Sequence, residues 1–110
     1  MRAISQNGNV DLPYEKTLIF HAMEAVLARC EGYDKEIVLG EYSSNERAYK
    51  VIEMLREQYK ALEVLKVLAN GTEEHMEKSF KPDEFAEYNR AYRDMNVFQF
   101  PQDDEIEARV

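Results

Sequence analysis

Three observations predict an α+β fold. Short β-compatible runs punctuated by turn residues fill the first third of the chain, a Ser-Ser junction opens a long amphipathic helix, and a second helical stripe precedes a final apolar run. The predicted architecture is a small antiparallel sheet built from an N-terminal hairpin and strands near 18–29, 36–42 and 97–100. A long helix from residue 44 packs on one face of that sheet, and additional helices come from the C-terminal half. The whole of 1–110 reads as a single domain, with 60–95 a helical insertion and 102–110 a flexible acidic tail.

Met1–Gln6 and Val10–Tyr14 flank Asn7-Gly8, a tight-turn pair that closes hairpins. Pro13 lacks a ladder donor, so the second run is an edge strand or ends there. Thr17–Cys30 is ambiguous. Leu18, Ala22, Val26 and Cys30 would share one helical face, yet Leu18, Phe20 and Ala22 also alternate with Ile19, His21 and Met23 as a strand would. Glu31–Lys35 reads as a hairpin loop, and Glu36–Tyr42 needs a partner. Strands over Leu18–Met23 and Ala25–Arg29 satisfy both requirements.

Ser43 followed by Glu46 has the spacing of a capping box, in which hydroxyl and carboxylate satisfy free N–H groups at a helix start. The helix stripe is Ala48, Val51, Ile52, Leu55, Tyr59 and Leu62, close to a 3.6-residue period. Beyond Leu62 the stripe fails: Lys66 falls on the buried face, and Val64, Leu65, Val67 and Leu68 point all round. Asn70-Gly71 predicts a helix stop, Thr72 a cap for a short helix through Glu73–Phe80, and Pro82 the first turn of another. Phe85, Tyr88, Tyr92 and Met95 form the buried stripe of that last helix, Val97–Phe100 a short strand, and Gln102–Val110 a frayed tail.

The net charge of −8 comes from 22 acidic against 14 basic side chains, and no basic patch interrupts it. Duplex binding is driven by Lys and Arg displacing counterions, so direct nucleic-acid binding is not expected. The acidity reads either as solubility or as a face that engages a basic protein surface. No apolar run is long enough for a bilayer, and the opening lacks the apolar core of a signal peptide. Cys30 is the sole cysteine, which excludes an internal disulfide framework and fits a reducing cytoplasm.

Little here points to chemistry. His21 and His75 have no His, Cys or Asp at ligand spacing, and Cys30 has neither a base nor a second cysteine beside it. The four glycines are scattered, so none builds a phosphate-cradling loop. Asp103, Asp104, Glu105 and Glu107 lack the spacing and central glycine of a calcium loop. No catalytic, cofactor-binding or metal-ligating residue is therefore expected. Seven Tyr and five Phe are a generous aromatic complement, and Tyr33, at a predicted loop tip, is expected to be exposed. Tyr33, Val64, Leu65, Val67 and Leu68 are the candidate protein interface, the last four expected near the interface of a homodimer.

Three segments, MRAISQNGNVDLPYE, LGEYSSNERAYKVIEMLREQY and FQFPQDDEIE, resemble a set of small uncharacterised proteins of Firmicutes bacteria and their prophages. The resemblance covers roughly half of the chain, with the stretch from Lys60 to Met95 longer than in that set. It implies strands over Leu18–Arg29 and a mobile-element setting, and it implies no catalytic residue. The expected role is a non-enzymatic accessory protein that binds another protein. Two other classes are an acidic nucleic-acid mimic directed at a host defence protein and a small enzyme whose site assembles only in three dimensions.

Overall fold

The computed structural model describes residues 1–79 and 82–107, with side chains described at 1–67, 86, 87 and 89–106. Strands β1 (Arg2–Ile4), β2 (Asp11–Pro13), β3 (Thr17–Ala22), β4 (Ala25–Cys30) and β5 (Ile37–Glu41) come first. Helices α1 (Asn45–Ser79) and α2 (Pro82–Met95), strand β6 (Val97–Gln99) and helix α3 (Asp103–Glu107) complete the chain. The strands form two three-stranded sheets, ordered β2-β1-β6 and β3-β4-β5. The second is antiparallel throughout, whereas β6 joins β1 in parallel, with Ala3 opposite Phe98.

Local chemistry explains the division. Pro13 ends β2, and a single 3₁₀ turn over Tyr14–Lys16 redirects the chain into β3. The N-terminal hairpin turns at Gly8, whose φ of +78° suits a residue without a Cβ. Ser5 braces that loop: its Oγ donates to Asn7 Oδ1 at 2.7 Å and accepts the Val10 N–H at 3.0 Å. Thr17–Cys30 is a hairpin, and the turn lies at Met23 and Glu24. Met23, which alternation placed in the strand, instead takes a positive φ of 56° in the turn.

Helix α1 lies on the inner face of the β3-β4-β5 sheet. Ala48, Val51, Ile52 and Leu55 are buried there against Val26, Ala28 and Leu39. Ala3, Leu12, Phe98 and Phe100 extend the same core into the other sheet, and the Phe98 and Phe100 rings meet edge-on at 5.3 Å. Leu62 is buried as its period requires. Tyr59 is half-buried, its ring 4.6 Å from that of Tyr14.

Several local expectations are corrected. The cap of α1 is Ser44, not Ser43: Ser44 Oγ accepts the Arg47 N–H at 3.2 Å. Ser43 offers its backbone N–H to Asp103 Oδ1 at 3.0 Å, so no box forms with Glu46. Helix α1 runs through Asn70 and Gly71 to Ser79, so neither the stop nor a separate helix from Thr72 forms. An interior glycine costs a helix about 1 kcal/mol, which a long helix tolerates. The stretch read as a flexible tail over 102–110 contains α3, and Ile106 is fully buried; residues 108–110 lie outside the described residues. The side chains of Leu68, His75, Phe85 and Tyr88 also lie outside the described set.

Candidate functional site

The two faces of the β3-β4-β5 sheet are covered unequally. Register places Leu18 opposite Arg29, Phe20 opposite Leu27, and Leu27 opposite Val38. Side chains alternate across a strand, so these residues share the face away from α1. Leu18 is 61% exposed and Val38 48%, with Phe20 and Leu27 half-buried between them. A sheet packed on one side usually presents polar residues on the other. This one presents an apolar surface with Arg29 at its margin, its guanidinium 6.0 Å from the Phe20 ring centroid and 2.7 Å from Glu36.

The rim is acidic. Glu31 and Asp34 lie in the β4–β5 loop, Glu24 in the β3–β4 turn and Glu41 at the end of β5. All four are exposed and make no ion pair among the described residues. Lys35 is the cation in the same loop. Tyr33, predicted at a loop tip, stands there 62% exposed, and with Arg29, Asp34, Lys35 and Glu36 it lines a shallow hollow of about 470 Å³. Tyr33 thus adjoins the apolar face.

The other predicted interface residues lie elsewhere. Val64 and Val67 are 60% and 70% exposed on α1, and Leu65 is half-buried. Lys66, expected to interrupt a buried face, is instead half-exposed and reaches Glu63 at 3.5 Å. Tyr33 and the α1 valines form two separate surfaces on the chain, and only Tyr33 adjoins the open sheet face.

A second feature is the seam between the sheets. A cleft of about 360 Å³ is lined by Ser5, Gln6, Asn7, Gln102 and the β5 residues from Val38 to Glu41. Gln6 spans it: the backbone N–H donates to the Leu39 carbonyl at 2.7 Å and the side chain bonds the backbone of Glu41 and Pro101. Below it Tyr42 is buried, its hydroxyl donating to the Pro101 carbonyl at 3.0 Å. Burial, with the nearby Asp103 and Glu105 charges, raises its pKa and keeps the phenol neutral.

The ring of His21 packs edge-on against Tyr49 at 5.7 Å and lines neither cleft. Among the described residues no group of three or more His, Cys, Asp or Glu side chains converges as metal ligands would. Among them, too, no helix is long and apolar enough to cross a membrane. Comparison of the chain with protein-family models, curated proteins and solved structures finds no match. The geometry alone therefore carries the functional reading.

Leu18, Phe20, Leu27 and Val38 are not among the interface residues that the sequence predicts. The signal was present in Leu18-Ile19-Phe20, because a run of consecutive apolar residues in a strand makes both faces apolar. Only the placement of α1 decides which face is left open.

Proposed function

We propose that the chain is an accessory protein that binds another protein through the open face of the β3-β4-β5 sheet. The carrying observation is the contiguous surface of Leu18, Phe20, Leu27 and Val38, uncovered by any described element. The acidic rim and the net charge of −8 favour a partner with an apolar centre and a basic margin. Tyr33 at the border suits the amphipathic anchoring common at such interfaces.

The test is capture with wild-type protein and with two variants, Val38→Glu and Glu31→Lys/Asp34→Lys. The captured protein is then purified and titrated against each. The expected partner has a basic surface, loses at least tenfold in affinity to Val38→Glu, and binds more weakly to wild type as salt rises. A partner that binds Val38→Glu as well as wild type, with both proteins folded, overturns the reading.

A further inference from the structure

Among the described residues, three of the four sheet edges are closed. Gln6 occupies the outer edge of β5 through its bonds to Leu39 and Glu41. Gln58 Nε2 caps β6 by donating to the Met95 and Val97 carbonyls at 3.0 and 2.9 Å. Strand β2 is three residues long and ends in Pro13. The fourth edge, β3, is six residues long and contains no Pro, Lys or bulge.

The polar groups of that edge follow from the hairpin. A two-residue turn is closed by a pair that exchanges both backbone bonds, here Ala22 and Ala25, and bonded pairs then recur at every second residue. Leu18, Phe20 and Ala22 therefore bond to β4, while Ile19 and His21 direct their N–H and C=O groups outward. No hydrogen bond among the described residues takes these outward groups.

We infer that β3 pairs antiparallel with β3 of a second copy, with Phe20 facing its counterpart across the two-fold axis. Charge complementarity selects this register. Lys16 and Glu24 flank β3 at equal distances from Phe20, are exposed, and have no ion-pair partner among the described residues. Centring on Phe20 sets the 3₁₀ turn that ends at Lys16 in each copy beside the β3–β4 turn that carries Glu24 in the other. The same register matches the outward groups of Ile19 to those of His21, and sets Leu18 against Ala22 on the open face. Centring on Ile19 or His21 also pairs outward groups, but it sets Lys16 against Ala22 or Glu24 against Leu18. The product is one continuous sheet across both copies, with the apolar faces side by side.

The test is sedimentation equilibrium at low salt on wild type, Lys16→Glu, Glu24→Lys and the double exchange. The expected result is a wild-type dimer at ~100 μM, about threefold to tenfold weaker association in each single variant, and recovery in the double variant. Recovery is a result that a purely structural role for either side chain would not give. A monomeric wild type overturns the inference, as does a dimer indifferent to the exchange or one abolished by Val64→Glu/Val67→Glu. Val38→Glu reports on the face and the Lys16–Glu24 exchange on the edge, so the two proposals fail separately.

Discussion

The side-chain amide of Gln6 stands in for a strand residue opposite Glu41. Its Oε1 accepts the Glu41 N–H at 3.0 Å, and its Nε2 donates to the Glu41 carbonyl at 3.2 Å and the Pro101 carbonyl at 3.0 Å. One side chain thereby joins the N-terminal hairpin, the β5 edge and the segment after β6. Gln102 returns the bond, donating to the Gln6 carbonyl at 3.0 Å. Gln6→Ala is expected to lower stability by about 1–3 kcal/mol, since several backbone groups lose a partner together. Gln6→Glu keeps the acceptor for Glu41 but sets a carboxylate against two carbonyl oxygens, so it should not restore the wild-type urea midpoint.

Gly40 is fixed by the ring that crosses it. A Cβ there would stand 2.7 Å from the Tyr42 hydroxyl and 2.9 Å from its Cε2. The hydroxyl is held by Pro101 and the ring is buried, so neither yields readily. Gly40→Ala should cost about 1–3 kcal/mol by overpacking. In a Tyr42→Leu background the same change should cost much less, a coupling that a double-mutant cycle measures directly.

The cap assignment separates two adjacent serines. Ser44→Ala removes the acceptor of the Arg47 N–H and is expected to cost about 0.5–2 kcal/mol. Ser43→Ala leaves its backbone N–H in place for Asp103 and removes only the exposed hydroxyl that also bonds that carboxylate, so it should cost less than Ser44→Ala. Equal losses in thermal unfolding would place the helix start elsewhere.

Asp103 links stability to pH. The Ser43 N–H leads the interactions that lower its pKa, burial opposes them, and the Arg47 guanidinium at 2.9 Å adds to the lowering. A carboxylate whose pKa is depressed by folding stabilises the native state fully above the ordinary aspartate range. That contribution is lost as pH falls through the range to the lowered native value. Wild type should therefore exceed Asp103→Asn in stability near neutrality, and the difference should shrink on acidification. Chemical denaturation of both proteins from about pH 6 to 2 measures it.

Ile106 tests whether the acidic C-terminus belongs to the fold. Its side chain is 1% exposed within the core cluster. Ile106→Ala is expected to cost about 2–5 kcal/mol, the range for truncating a buried isoleucine. A frayed segment would lose almost nothing.

The sequence by itself determined the elements whose signals are local. The 3.6-residue spacing of Ala48, Val51, Ile52, Leu55 and Leu62 specified both α1 and its buried face, because side chains on one helical face must share one environment. Asn7-Gly8 located the β1–β2 turn and Glu31–Lys35 the β4–β5 loop, since turn residues act through their own backbone. Three matters were decided only in the tertiary structure. The choice between Ser43 and Ser44 depended on Asp103, about sixty residues away, taking the Ser43 N–H. The acidic end became α3 because Ile106 found space in the core, which no residue near it in sequence announces. The apolar run in β3 offered two equivalent faces, and α1 covered one of them. Burial is a relation between elements, so the sequence could supply the exposed face of Leu18, Phe20 and Val38 but not identify it.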